Sequence, residues 1–250
     1  MTVPLFDVQC GFGGATRGSA ERVGAKELAR EMARLRIDRA LVRIAPEELD
    51  ADIAASNAAL YAACAAQPSL VPCPVVVPAD GGDFPPEDRQ VDAHIRRGAG
   101  AVCVRPGNDY WSLAPWGCDR LFRALEERRM PVVCLHRLLT LEQVGGLAGR
   151  YPALPLILAE ATYRQQRSIL AMMGRFPNIH LSLGNNYTVH KGIEQLISRV
   201  GAERILFGTG FPFAEPMTAI TQLMYAEIAD EQKRRIGCGN AERLLGGIAR

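Results

Sequence analysis

The stretch Pro131-Val132-Val133-Cys134-Leu135-His136 places four apolar residues between a proline and a histidine. Proline disfavours a helical conformation in the residue before it, so the preceding helical pattern is expected to end there. A short, continuous run rich in Val and Leu is typical of a strand that is buried on both faces of a parallel sheet. The stretch therefore predicts a buried parallel strand that ends on a polar side chain.

Similar runs recur along the whole chain, and helical patterns separate them. Amphipathic or Ala-rich helices are predicted at Ser19–Arg34, Ala51–Ala66, Asp119–Arg128 and Ile193–Val200. Eight alternating strands in 250 residues predict an α/β fold, a (β/α)8 TIM barrel formed by a single domain over residues 1–250. Besides Val132–His136, the predicted strands are Leu5–Gln9, Ala40–Ile44, Val71–Val77, Ala101–Arg105, Leu156–Glu160, Ile179–Leu183 and Ile205–Gly208.

The composition indicates a globular chain with one large core. Hydrophobic residues make up 48% of the sequence, and the net charge of +2 gives no reason to expect a nucleic-acid or membrane-surface partner. No apolar run reaches about 18 residues and no secretion signal opens the chain, so no membrane-spanning helix is expected. The seven cysteines include no C-x-x-C pair, which predicts reduced, buried thiols and a cytoplasmic location.

In a barrel of this type, the carboxyl ends of the strands and the loops after them carry the chemistry. Residues two apart on a strand share a face. If the last residue of each predicted strand faces the barrel axis, then Gln9, Arg105, His136 and Glu160 converge at one mouth. Other polar residues and glycines at these strand ends are Gly11, Arg43, Ser182, Asn185, Asn186, Thr209 and Gly210.

Three segments near the two ends of the chain carry a family resemblance. They read Leu5-Phe6-Asp7-Val8-Gln9-Cys10-Gly11-Phe12-Gly13, Ile205-Leu206-Phe207-Gly208-Thr209-Gly210-Phe211-Pro212-Phe213 and Asn240-Ala241-Glu242-Arg243-Leu244-Leu245-Gly246. They resemble the amidohydrolase-related (amidohydrolase 2) family of metal-dependent TIM-barrel hydrolases, whose corresponding segments usually read FD-x-H-x-H-x-G, LFGSD-[YF]-P and NA-x-RLL. The resemblance covers nearly the whole chain in order and implies the same barrel fold.

The resemblance also implies where a catalytic metal would be held. The family's two metal-binding histidines of the first segment fall on Gln9 and Gly11, and its metal-binding aspartate falls on Gly210. His136 retains a family histidine, whereas Glu160 stands where the next strand-ending histidine is usual. Most metal ligands are therefore replaced, and the resemblance implies a divergent, metal-independent member without a cofactor.

A reduced metal site is the minority interpretation. Catalytic zinc typically needs three protein ligands and an open position. Of the four histidines, His190 follows a predicted strand and could approach the mouth on a loop. His136, Glu160 and His190 would then form a weak three-ligand set.

The polar residues at the mouth suit acid–base chemistry on a small anionic organic molecule. His136 and Glu160 in one cleft can act as acid and base, and Arg43 and Arg105 can clamp a carboxylate or phosphate. Hydrolysis, lactone opening and decarboxylation are the reactions that these roles predict. Hydrogen bonds to a developing oxyanion can come from three amide side chains, those of Gln9, Asn185 and Asn186.

A catalytically silent barrel that binds a ligand or serves a partner protein is the alternative interpretation. Such a barrel would have its mouth filled by Trp111 or Phe12, or closed by an ion pair such as Arg105–Glu160. Trp111 and Trp116 follow the fourth predicted strand, where they either pack against the barrel rim or line a ligand pocket. The resemblance also leaves a homodimer open.

Overall fold

The computed structural model describes residues 3–14, 22–44, 52–185, 187 and 189–249. Strands and helices alternate through these residues, and each predicted strand has a counterpart within a few residues of its expected position. Most of the strand residues are buried on both faces, which explains why they are continuously apolar. The strands are β1 (Phe6–Phe12), β2 (Arg39–Ile44), β3 (Leu70–Pro72), β4 (Val102–Cys103), β5 (Val132–Leu135), β6 (Leu156–Ala159), β7 (Ile179–Leu183) and β8 (Ile205–Phe207).

The helices between the strands are α1 (Ala25–Leu35), α2 (Ile53–Ala66), α3 (Glu87–Arg96), α4 (Pro115–Glu127), α5 (Leu141–Arg150), α6 (Gln166–Arg175), α7 (Gly192–Val200), α8 (Pro216–Tyr225), α9 (Asp230–Arg234) and α10 (Asn240–Gly246). Local side chains fix where several of them begin. The Thr140 hydroxyl accepts a hydrogen bond from the Gln143 N–H, and the Gln143 side chain accepts one from the Thr140 N–H, which caps α5. No helix in the described part of the chain is long and apolar enough to cross a membrane.

The strands form two parallel sheets in chain order, β1-β2-β3 and β4-β5-β6-β7-β8. Hydrogen bonds connect the sheet edges at both seams. At one seam, Val75 forms a parallel bridge with Cys103. At the other, the Gly210 N–H donates to the Gln9 carbonyl at 2.7 Å. The fold is therefore the predicted single-domain α/β barrel, with short strands and with seams made by individual hydrogen bonds.

Several elements differ from their predicted bounds by a few residues, and two of these differences concern β3 and α1. β3 covers Leu70–Pro72 instead of Val71–Val77, because Pro72 and Pro74 have no N–H to donate to a neighbouring strand. The first helix begins at Ala25, directly after Gly24. Its predicted start at Ser19 lies outside the described residues.

All seven cysteines are buried and unpaired, as the sequence predicts. Burial raises the pKa of the Cys73 and Cys134 thiols above the usual range for cysteine. These side chains therefore stay protonated at neutral pH and act as small apolar residues in the core.

Two histidines are packed into the fold away from the mouth. The Tyr61 hydroxyl lies 2.8 Å from Nδ1 of His94, between α2 and α3. His180 is buried at the start of β7, and its Nδ1 has no hydrogen-bond partner in the described part of the chain. Burial, aided by nearby arginines, lowers the pKa of each ring to about 4. Between about pH 4 and pH 6.5, both rings are therefore neutral in the folded protein, whereas a histidine of the unfolded chain binds a proton.

We expect the free energy of unfolding to fall as the pH drops from about 6.5 to about 4. Over that window the unfolded chain takes up protons at both histidines and the folded protein does not, so each proton taken up favours unfolding. His180→Gln should reduce this loss of stability by about 3 kcal/mol, because it removes a ring whose pKa is lower in the folded than in the unfolded protein. Urea unfolding at several pH values measures the slope.

His94→Gln tests the second ring, and it should reduce the loss by a similar amount because burial lowers the pKa of His94 to about 4 as well. An identical pH dependence for the wild type and His180→Gln would show that the ring is protonated in the folded protein.

Candidate active site

The Glu160 carboxylate lies between two arginines at the carboxyl ends of their strands. Its Oε1 accepts a hydrogen bond from Arg43 Nη2 at 2.8 Å, and its Oε2 lies 2.8 Å from Arg137 Nε. The Arg43 side chain is 8% exposed, that of Glu160 17% and that of Arg137 36%. Charge-assisted contacts of this length are stronger than neutral hydrogen bonds. We call Arg43, Glu160 and Arg137 the arginine–glutamate cluster.

The backbone at Glu160 explains why regular strand alternation does not describe this cluster. β6 ends at Ala159, and Glu160 has a left-handed backbone with φ 62°, which is uncommon for a residue other than glycine. On β5, Leu135 lines a small cavity beside the cluster. Arg137, two residues further on, reaches Glu160. The residues that face the cluster are thus 135 and 137, and His136 lies between them.

His136 is fixed mainly through its backbone. Its N–H donates to the Ala159 carbonyl at 2.9 Å. Its ring is partly buried, and Nδ1 has no hydrogen-bond partner in the described part of the chain. Among the residues that the structure describes, Glu160 forms ion pairs with Arg43 and Arg137 and not with His136.

Gln9 lies across the centre of the mouth and is 2% exposed. Its Oε1 accepts a hydrogen bond from the Glu160 N–H at 3.1 Å, which connects β1 to the end of β6. The Nε2 group consequently points the other way, and a Cβ on Gly184 would lie only 2.6 Å from it. A Cβ on Gly208 would lie 2.6 Å from the Gln9 Cβ. Glycine at both positions therefore makes room for the Gln9 side chain.

Asp7 fixes the position of Gln9. Its Oδ1 accepts hydrogen bonds from the Gln9 N–H at 2.9 Å and the Thr209 N–H at 3.0 Å, and its Oδ2 accepts one from the Thr209 hydroxyl at 2.5 Å. Burial raises the pKa of Asp7, and the hydrogen bonds from Thr209 and Gln9 oppose that rise. Asp7 thus joins β1 to the segment after β8 and holds the mouth in shape.

Arg105 pairs with Asp109, whereas the sequence suggested an Arg105–Glu160 pair for a closed mouth. Its Nε donates to Asp109 Oδ2 at 3.1 Å and its Nη2 to Oδ1 at 2.5 Å. Arg105 and Arg43 line one cavity of about 10 Å³, which has room for about one water molecule. The structure therefore brings the two predicted clamp residues to one cavity, each beside a carboxylate.

The backbone at two of the positions implied for metal binding does not accept a metal ligand. A Cβ on Gly11 would lie 2.6 Å from the Arg43 carbonyl oxygen, so a side chain there would push β1 away from β2. Gly210 has φ 79°, a conformation that glycine adopts easily and other residues adopt at a cost. Both positions are adapted to glycine and not to histidine or aspartate.

The side chains at the remaining positions do not fit a metal either. The Gln9 oxygen is engaged by the Glu160 N–H, and the Glu160 carboxylate is engaged by two arginines. His190 is exposed and lines a groove between α7 and α8. Among the described residues, no group of three His, Cys, Asp or Glu side chains could hold a metal ion, so His136, Glu160 and His190 do not form the suggested set.

The two predicted asparagines have different outcomes. Asn185 borders the mouth: a Cβ on Gly210 would lie 3.8 Å from its Oδ1 and 3.6 Å from the Gln9 Nε2. Asn186 lies outside the described residues. Asn185 and Gln9 therefore place two amide groups next to each other at the centre of the barrel end.

Sequence reasoning missed Arg137 and Asp109. For Asp109 a signal existed, because Pro106-Gly107-Asn108 is typical of a turn that reverses the chain and would return Asp109 to Arg105. For Arg137 the signal was weaker. It follows the predicted strand directly, but the choice between residues 136 and 137 depends on where the regular strand ends.

Solved structures similar to this chain share its fold. They include an uncharacterised TIM-barrel protein of Bordetella bronchiseptica, at TM-score 0.75 and 18% identity over 99% of this chain and 100% of that one. Another is 5-carboxyvanillate decarboxylase of Sphingomonas paucimobilis, at TM-score 0.71 and 13% identity over 98% and 99% of the two chains. A third is a dihydroxybenzoic acid decarboxylase of a Polaromonas species with bound manganese and 2-nitroresorcinol, at TM-score 0.70 and 15% identity over 98% and 97%.

Identities this low establish the fold and leave the reaction open. Among curated protein sequences, none matches this chain. A sequence profile of the amidohydrolase family, in contrast, matches residues 17–247, which is nearly the full length. The matched residues include the closing segment Asn240–Gly246, and the match agrees with the parallel barrel of the structure. The chain therefore belongs to the amidohydrolase family.

Proposed function

We propose that this protein binds the carboxylate of a small organic acid at the arginine–glutamate cluster and converts the acid without a metal ion. The two 2.8 Å contacts of Glu160 with Arg43 and Arg137 carry this proposal. Two guanidinium groups that already face one carboxylate form a site suited to a second one. The similar solved structures include decarboxylases of dihydroxybenzoic acid and 5-carboxyvanillate, which favours an aromatic acid as the substrate.

A substrate carboxylate can replace Glu160 on Arg137. The Arg137 side chain is 36% exposed and that of Arg43 8%, so an anion from solvent meets Arg137 first. Ion pairs near the surface are screened and contribute little to stability, whereas a buried pair is costly to break. The exchange therefore opens the Arg137–Glu160 contact, keeps the Arg43–Glu160 contact, and frees one oxygen of Glu160.

The freed Glu160 oxygen would then transfer protons to and from the bound molecule. His136, the other proposed acid or base, lies between the two residues that face the cluster, so its ring has to turn toward the bound molecule to take part. Gln9 can donate a hydrogen bond from Nε2, since its Oε1 already accepts from the Glu160 N–H. Together with Asn185, Asn186 and the positive charge of Arg105, that donor would stabilise a developing oxyanion. These roles suit decarboxylation, lactone opening or hydrolysis of a small acid.

A second candidate is a silent barrel that binds an acid and does not convert it. The closed Arg43–Glu160 pair favours it, because this pair fills the mouth with groups that satisfy each other. Turnover distinguishes the two functions. A silent barrel binds the acid and releases it unchanged, whereas an enzyme consumes it and loses that activity in Glu160→Gln.

We expect 2,4-dihydroxybenzoate to raise the melting temperature of the protein, and the uncharged carboxamide of the same ring to have little effect. A ligand at a hundred times its Kd stabilises the folded state by about 2.7 kcal/mol. Arg137→Gln should remove most of the shift, because the exposed guanidinium is the group that receives the carboxylate. Differential scanning fluorimetry with increasing ligand measures these shifts.

The matched control is Arg123→Gln on α4, which removes an exposed arginine that is paired with Asp119 and lies on a helix surface. Its ligand-induced shift should equal that of the wild type. The proposed anion site is wrong if Arg137→Gln and Arg123→Gln respond to the ligand alike.

We expect Glu160→Gln to lower the free energy of unfolding by about 2–4 kcal/mol, because it leaves the buried Arg43 without its countercharge. Arg137→Gln should cost about 1 kcal/mol or less, because its side chain is partly exposed and Glu160 keeps Arg43 as a partner. Urea denaturation of both variants compares the two losses. Equal losses would show that the two ion pairs are equivalent, against the proposed order of exchange.

We expect the purified protein to contain far less than one metal ion per chain, and a chelator to leave its turnover unchanged. The reason is that Gly11 and Gly210 have no ligand side chain, while Gln9 and Glu160 already use their oxygens in other contacts. Elemental analysis of protein prepared without chelator is the measurement, with His136→Ala alongside. Stoichiometric zinc, manganese or iron that disappears in His136→Ala would overturn the metal-free proposal.

A further inference from the structure

An aromatic surface follows β4 and continues into the first turn of α4. Tyr110 is 96% exposed and Trp116 82% exposed. Trp111, between them in sequence, packs one side of its indole against Phe122, with ring centroids 6.4 Å apart. Trp111 thus packs against the barrel rim, and it also lines the two grooves described below. Large exposed aromatic side chains concentrated in one place are typical of a binding surface.

Two grooves lie on either side of Tyr110 and share Pro78, Gly81 and Trp111 as walls. The first, of about 600 Å³, also contains Ile53, Val77 and Phe84. The second, of about 660 Å³, also contains Trp116. Each is large enough for a small organic molecule. We call them together the aromatic grooves.

The charges along the aromatic grooves have one sign. Their described lining includes the carboxylates of Asp52, Asp80, Asp83 and Asp109 and no lysine or arginine. Asp109 and Asp80 have arginine partners, Arg105 and Arg120. In a chain of net charge +2, a surface whose charged side chains, among the described lining residues, are all acidic favours cations over anions.

Asp83 and Asp52 are the carboxylates that face the first groove without an ion pair among the described residues. A Cβ on Gly81 would lie 2.7 Å from Asp83 Oδ1, so this carboxylate lies directly over the shared wall. Asp52 Oδ1 accepts a hydrogen bond from the Ala55 N–H at 3.0 Å, which keeps its carboxylate at the start of α2 beside the groove. Both side chains are exposed and therefore accessible to a ligand.

We propose that the aromatic grooves bind a small organic cation, a protonated amine or a quaternary ammonium group. The rings of Tyr110 and Trp111 would contact the cation through their faces, where the aromatic quadrupole is negative. Asp83, which lines the same groove as both rings, would supply the countercharge. An anion or a neutral molecule of the same shape would not be attracted both by the ring faces and by the carboxylate.

This site is separate from the arginine–glutamate cluster, although the two are neighbours. Asp109 forms part of a groove wall, and its carboxylate turns inward to Arg105, which lines the small cavity with Arg43. The Arg105–Asp109 pair thus lies between a positively charged interior and an acidic outer surface. Binding of a cation in the grooves does not depend on the proposed reaction at the mouth.

The chain offers a direct probe, because it contains two tryptophans and both line the aromatic grooves. We expect choline to change the tryptophan fluorescence of the intact protein in a saturable way. The neutral isostere 3,3-dimethylbutan-1-ol, which has the same shape without the charge, should give a markedly weaker response. Raising the ionic strength should weaken choline binding, since the carboxylates are exposed to solvent.

Two variants test the two features separately. Tyr110→Ala and Asp83→Asn should each weaken choline binding by about two- to fivefold, the size of an exposed cation–π or ion-pair contribution. Tyr225→Ala on α8, where the ring is 84% exposed, and Asp88→Asn on α3 are the matched controls and should bind as the wild type does. The proposal is overturned if the isostere binds as well as choline, if no saturable change occurs, or if Tyr110→Ala and Asp83→Asn match their controls.

Discussion

The mouth of this barrel depends on the need of buried guanidinium groups for a countercharge. Arg43 and Arg105 have side-chain exposures of 8% and 2%, and within the described part of the chain Arg43 pairs with Glu160 and Arg105 with Asp109. A buried charge without a partner is strongly destabilising, so these carboxylates are needed for the mouth to fold. Arg137 then adds a third positive charge against two negative ones, and it is the one nearest to solvent. Among these five described residues, three arginines and two carboxylates, the arrangement thus leaves one more positive than negative charge, on the side where a ligand can arrive.

Gln9 shows how hydrogen bonds organise the same end of the barrel. A carboxamide both accepts and donates hydrogen bonds, so Gln9 can connect β1 to the N–H of Glu160 and still present an N–H group to the mouth. Asp7 and Thr209 hold the backbone below it. Hydrogen bonds of Asp7, Gln9 and Thr209 therefore maintain the shape of this end of the barrel.

The barrel could be predicted from the sequence because its strands are buried on both faces and each forms a continuous apolar run, as Val132–Leu135 does. The strand ends also located the region of Gln9, Arg43, Arg105 and Glu160. Individual contacts were less predictable. The left-handed backbone of Glu160 ends the alternation of β6 without a signal in the sequence, and the side chain that meets it is Arg137 and not His136. The turn that returns Asp109 to Arg105 has a signal in the sequence, but a turn signal alone does not say which two side chains form an ion pair.

The glycine at position 11 has a consequence for how this chain could change. Because β1 approaches the Arg43 carbonyl so closely there, a histidine at that position is penalised before any other ligand is in place. At Gly210 the penalty comes from the backbone, because residues other than glycine adopt its positive φ at a cost in free energy. A larger side chain at either position therefore requires the local backbone to move as well as the residue to change. Protein engineers who want a metal in this barrel should redesign the spacing between β1 and β2 first and introduce the ligands afterwards.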